Sequence, residues 1–119
     1  MMLIMEQPEA ALLVAGTAAG RGIADGPARV LGGPDDFSRF RPGDVLVCRT
    51  TDPAWTPLLV RAAAVVTEVG GMLCHAAIVA REAGIPAVVG AAGARTALSD
   101  GQRVRVDGAT GRVTAVAGD

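Results

Sequence analysis

The sequence predicts an α/β domain: a mixed sheet with short helices. Three observations carry this. Short apolar, mostly β-branched runs recur at residues 28–31, 45–48, 64–67, 87–90 and 104–108. Gly-, Pro- and Asp-rich turns separate them, and two stretches with helical punctuation lie between them. The 119 residues suffice for one core and show neither linker nor internal repeat. We therefore expect a loose N-terminus over residues 1–10 and a single domain over 11–119.

Residues 11–22 pass from an apolar run into a small, Gly-rich stretch, GTAAGRG, and Gly26-Pro27 opens the strand at 28–31. Arg41-Pro42-Gly43-Asp44 is a turn before the strand VLVC. Thr51-Asp52-Pro53 punctuates again. Thr56-Pro57 reads as an N-cap with Pro at the first helical position, giving a helix over about 57–63. After the strand at 64–67, Gly70-Gly71 is a tight turn. A second helix begins near His75 and runs through AAIVAREA. Gly84 ends it in the left-handed conformation, and Pro86 bars its continuation. Strands VRVDG and GRVTAV close the chain around Asp107-Gly108 and Gly111.

Composition narrows the chemistry. Half the residues are apolar and the formal net charge is −1, which argues against nucleic acid or an anionic membrane held by bulk electrostatics. All basic side chains are Arg; no Lys is present for a Schiff base, a P-loop or a general base. The apolar start, Met1 to Met5, lacks a basic region, and no run reaches the length of a membrane span. These features lead us to expect a cytoplasmic protein. Cys48 and Cys74 do not make a disulfide framework.

What remains is the sole histidine, His75, at the mouth of a helix. Free N–H groups and the positive end of the helix dipole make such a place an anion site, worth about 0.3–1 kcal/mol. The same dipole disfavours imidazolium, which keeps the ring neutral and nucleophilic near pH 7. Phosphoryl transfer asks for such a nucleophile, well placed, that is also a good leaving group. Three readings are open on this footing: a phosphoryl carrier, a helix-capping histidine in a non-catalytic interaction module, or a thiol enzyme using Cys74 beside His75. Arg81 and Glu82 read as solvated helix-surface charges. Cys74 and His75 make a poor metal pair, with Cys48 the only further thiol.

Residues 67–90, TEVGGMLCHAAIVAREAGIPAVVG, closely resemble the signature of the mobile phosphohistidine domain of phosphoenolpyruvate-utilising enzymes. Those enzymes include phosphoenolpyruvate synthase, pyruvate phosphate dikinase and rifampicin phosphotransferase. The likeness extends through PGDVLVCRTTDPAWTPLLVRAAAVV and DGQRVRVDGATG. It implies the swivelling β/β/α fold, phosphorylation of His75, and supporting roles, to phosphate or turn, for Thr67, Gly70, Gly71, Cys74 and Arg81. It also implies no metal and no cofactor on this domain itself. ATP with Mg, or phosphoenolpyruvate, is expected on an ATP-grasp nucleotide-binding partner and a substrate-domain partner, neither of which fits in 119 residues. Leu73 stands where dikinases usually have Thr and is closer to the rifampicin phosphotransferase branch, as is TDPAWTP. Gly20-Arg21-Gly22 replaces the common Ser-Pro-Gly.

Two structural expectations follow. At least one of Gly70 and Gly71 has φ > 0, with Gly71→Val costing a few kcal/mol. The His75 ring is partly accessible and has few fixed side-chain partners, as a carrier visiting two sites requires.

Overall fold

In a computed structural model, residues 11–117 can be described; the expected loose terminus at 1–10 lies outside them. The described residues form eight strands and three short α-helices. In chain order they are β1 (Leu12–Ala15), β2 (Thr17–Gly20), β3 (Ile23–Val30), β4 (Val45–Cys48), α1 (Thr56–Leu59), β5 (Ala64–Thr67), α2 (His75–Ala83), β6 (Ala87–Val89), α3 (Ala94–Ala97), β7 (Arg103–Asp107) and β8 (Arg112–Ala115). A 3-10 segment, Pro34–Arg39, precedes β4, and a single 3-10 turn, Pro53–Trp55, leads into α1.

The strand order is β1-β8-β7-β3-β4-β5-β6-β2. Its two halves meet on β3. The first part of β3, from Ile23 to Pro27, pairs antiparallel with β7, and Ala28 to Val30 pair parallel with β4. One half is thus the antiparallel group β1-β8-β7-β3; the other is β3-β4-β5-β6, parallel, with β2 antiparallel on its edge. The outermost strands, β1 and β2, are one stretch of chain broken only at Gly16, whose N–H donates to Gly111 O. The chain so passes from one sheet edge to the other. A Cβ on Gly16 would lie 2.5 Å from Val89 O, so only glycine fits that crossing.

Alternation within the parallel strands sorts the core into two layers. Leu46, Cys48, Val65, Ala87 and Val89 face α1 and α2, with Trp55, Phe40, Leu58, Leu59 and Ala77. Val45, Val47, Ala64, Val66 and Val88 face the opposite way, against Val104, Val106, Val113 and α3. Burial on both faces explains why these strands read as continuous apolar runs. β7 alternates instead: Val104 and Val106 are buried, while Arg103 and Arg105 face water, where Arg105 grips Asp25 at 2.7 and 2.9 Å. The result is two β layers and one helical layer, the expected β/β/α arrangement.

Three expectations need correction. The GTAAGRG stretch contains strand β2, not only a loop. Ala and Gly are used there because the backbones press together: a Cβ on Gly20 would lie 2.8 Å from Ile85 O. The helix expected over 57–63 spans only Thr56–Leu59, because Ala63 N–H turns back to Asp44 O. Thr56 is its first helical residue and not its N-cap. Asp52 makes the cap one turn earlier, its carboxylate accepting from Ala54 N–H at 2.9 Å.

Candidate functional site

The parallel strands β4 and β5 end side by side at Cys48 and Thr67, paired in register. Ligand sites of open α/β sheets form at such carboxyl ends. The loop after β4 brings Thr51 and the start of α1 brings Thr56; the loop after β5 brings Gly70 to Cys74; α2 then begins at His75. The first intrahelical bond runs from Ile78 N–H to Cys74 O. The N–H groups of His75, Ala76 and Ala77 therefore point out of the helix mouth. Cys74 stands at the N-cap position and makes no side-chain cap.

The imidazole is half-buried and lies between two threonines. Thr51 Oγ1 is 2.7 Å from Nδ1, and Thr56 Oγ1 is 3.4 Å from Nε2. The first is a full hydrogen bond; the second is longer than hydrogen bonds prefer. Thr51 is itself buried, 8 % exposed, so its hydroxyl is a fixed reference for the ring. The expectation of few fixed partners is therefore corrected: one threonine hydroxyl fixes Nδ1 through a full hydrogen bond, and a second lies beside Nε2 at a looser distance. Sequence reasoning missed both threonines, reading Thr51 as turn punctuation and Thr56 as a cap. Their spacing of five residues around Pro53 was the only available signal.

The loop that presents His75 is held by several hydrogen bonds, three of them to its own carbonyls. Thr67 is fully buried and its hydroxyl donates to Val69 O at 2.9 Å; Val69 N–H donates to Arg49 O; Cys74 N–H donates to Gly71 O. Arg81 is exposed, as expected, but it is also a tie. Its guanidinium donates to Met72 O at 2.6 Å and to Ala19 O at 2.9 Å, tying the loop to β2. Thr67 and Arg81 thus serve the turn, and the side-chain bonds of His75 go to Thr51 and Thr56 instead. Glu82 is exposed.

Of the two turn glycines, Gly70 carries the constraint. Its φ is 124°, and a Cβ there would lie 2.8 Å from Cys74 Sγ; around Gly71 there is open space and no positive φ. The expected sensitivity of Gly71 to substitution is corrected accordingly. Gly90, with φ 65°, closes the other side, since a Cβ on it would meet Gly70 O at 2.9 Å.

Cys74 is half-buried and packs on the helical core layer. Cys48 is buried, and burial pushes its thiol up to about 12. A thiol held protonated is neither a nucleophile nor a ready metal ligand. Among the described residues no three His, Cys, Asp or Glu side chains gather as a metal-binding group.

Glu68 braces the loop from below. Its carboxylate accepts from Arg95 N–H at 2.8 Å and from Arg95 Nε at 2.9 Å, at the start of α3. The backbone N–H bond, with the guanidinium beside it, holds this carboxyl below the usual carboxylate range. A depressed folded-state pKa contributes stability above the unfolded value and loses it as pH falls. The melting-temperature advantage of the wild type over Glu68→Gln should therefore be level above about pH 5 and shrink on acidification through about pH 4. An advantage that grows on acidification would contradict this.

A β/β/α body with a histidine at the carboxyl edge of its parallel strands defines the class of swivelling domains. The comparisons agree. The model of the PEP-utilising enzyme mobile domain matches residues 40–111, and the chain belongs to that family. It is 51% identical over 100 residues to the phosphoenolpyruvate synthase of Pseudomonas aeruginosa, covering 84% of this chain and 13% of that protein. It is 45% identical over 100 residues to the rifampicin phosphotransferase of Bacillus cereus, covering 84% of this chain and 11% of that one. Among solved structures, an Enzyme I protein superposes with a TM-score of 0.59 at 31% identity, covering 71% of this chain and 35% of that one. The chain therefore spans about an eighth of the length of such curated relatives. It is a phosphotransfer module of a kind found inside multidomain phosphotransferases. Among the described residues, no helix is long and apolar enough to cross a membrane.

Proposed function

We propose that His75 is the phosphoryl acceptor of this module and that Nε2 is the reacting atom. The observation that carries this is the asymmetric pair of threonines: 2.7 Å at Nδ1 and 3.4 Å at Nε2. With Nδ1–H donating to Thr51 Oγ1, the lone pair is on Nε2, the loosely held nitrogen. In the loading step that lone pair forms the P–N bond, and the donor's P–O bond breaks with its electron pair leaving on the donor oxygen. Nδ1 keeps its proton. The dianionic phosphoryl group then lies near the helix mouth, where N–H groups and dipole favour it. In the delivery step an acceptor oxygen forms the new P–O bond and the P–N electrons return to Nε2.

The donor and acceptor belong to other domains. We propose ATP with Mg on an ATP-grasp domain or chain as donor, or phosphoenolpyruvate on a substrate domain. This reading is favoured over a non-catalytic interaction module because the ring, its hydroxyl support and the bonded loop are all in place. It is favoured over a Cys74 thiol enzyme because the His75 ring bonds to threonines and not to the sulfur. A cytoplasmic location is part of the same proposal.

The test is loading. The chain is incubated with ATP, Mg and the nucleotide-binding region joined to it or encoded beside it. Intact mass should show one added phosphate, mapped by peptide sequencing to His75; no uptake, or uptake elsewhere, contradicts the proposal. Thr51→Val should slow loading about tenfold, because a buried N–H left without its acceptor costs about 1–3 kcal/mol. Thr51→Ser should restore the rate. Equal rates for valine and serine would show that the Nδ1 bond is irrelevant.

A further inference from the structure

Resting on that reading, we propose that the loop before His75 is an apolar docking knob for the phosphoryl-donor domain, with Leu73 as its anchor. Of the seven large hydrophobic side chains exposed among the described residues, four lie within six residues of His75: Val69, Met72, Leu73 and Ile78. Leu73, two positions before the nucleophile, is 82 % exposed, the most of any. Ile78 follows His75 by three positions and so shares its side of the helix. Single exposed apolar residues are ordinary; a cluster at one site marks a surface that is covered in use.

The cluster is also held in place. The carbonyls of Val69, Gly71 and Met72 accept from Thr67, Cys74 and Arg81 respectively. Arg81 commits its guanidinium to two backbone carbonyls, one of them Met72 O, directly before the exposed leucine. A pre-ordered apolar projection loses little entropy on docking, which is what makes it useful as an anchor.

The occupant follows from the chemistry. A loaded phosphohistidine and its donor hydrolyse if water reaches them, so the transferring phosphoryl group must be enclosed. The helix mouth supplies N–H groups, and the Arg81 guanidinium donates to two backbone carbonyls of the module itself. A donor domain that holds a phosphoryl group also presents cations against its charge. The surface that fits is an apolar rim around a cationic, phosphate-holding centre on the donor domain. Relatives several times longer than this chain have room for such a domain beyond the matched stretch.

The test uses the full chain and two donors. One is the nucleotide-binding region with ATP and Mg; the other is phosphoramidate, a small donor that needs no docking surface. Leu73→Asp should raise the chain concentration for half-maximal loading by the protein donor about tenfold or more. Labelling of His75 by phosphoramidate should not change. Leu73→Ser, should the aspartate fail to fold, should show the same split with a smaller shift. Ile23→Asp, an exposed residue at the start of β3 and not one of the four, should alter neither reaction. Unchanged protein-donor loading in Leu73→Asp overturns the docking role, and so does an equal loss with both donors, which would mean a disturbed ring. Sedimentation should show a monomer at assay concentrations; a dimer that depends on Leu73 would assign the knob to a second copy instead. A wild-type chain that phosphoramidate labels but the protein donor does not would overturn the carrier reading itself.

Discussion

His75→Ala is expected to leave a folded protein that takes up no phosphate. The loss of loading should reach about a thousandfold or more, because no second nucleophile stands in the same place. Cys48 is buried with its thiol pushed up to about 12, and Cys74 packs half-buried on the core. Stability should change little. The ring gives up one good hydrogen bond, to Thr51, worth about 1 kcal/mol, and alanine is the better helix former. Loading rates and a thermal melt on the same preparation separate the two effects. A label that survives in His75→Ala would move the acceptor elsewhere, and a collapsed fold would make the histidine structural.

Gly70→Val should remove activity by a different route. The backbone at φ 124° is one that β-branched residues avoid, at a cost of about 1–3 kcal/mol. A Cβ would also meet Cys74 Sγ at 2.8 Å and Cys74 Cβ at 3.1 Å. Cys74 is the residue from which α2 starts, so relief of the clash displaces His75 from Thr51. We expect a melting temperature lowered by several degrees, in line with about 4–8 °C per kcal/mol for a domain of this size, and loading reduced beyond what unfolding explains. Gly71→Val, with open space around it, should come close to wild type in both assays. Equal effects at the two positions would mean that backbone geometry at Gly70 is not what sets the helix start.

The difference between these glycines shows how far the residue string could be read. A double glycine after a strand announces a turn, but which member takes the unusual φ depends on Cys74 packing back over the turn, a contact absent from local sequence. Helix α2 was legible at both ends, since Gly84 adopts the left-handed conformation its place implied, φ 76°. Strand β2 was not, because it is built of Thr, Ala and Gly, whose close backbone approach leaves no period-2 apolar signal, and β1 read only as an apolar run. Helix α3 was too short to leave a period. In the site, His75 stood out as the sole histidine, while its partners arrive from the loop before α1 and the start of α1, 24 and 19 residues earlier. Arg81 read as a surface charge because nothing in the string shows that two carbonyls lie within its reach.

The central claim, that this module carries phosphate on Nε2 of His75, is tested most directly by NMR of the loaded protein with nitrogen-15 in its histidine. The account predicts one phosphoryl group lost in mild acid and kept in alkali, with phosphorus coupled to Nε2 while Nδ1 retains its proton toward Thr51. An acid-stable label, or phosphorus coupled to Nδ1, would contradict it.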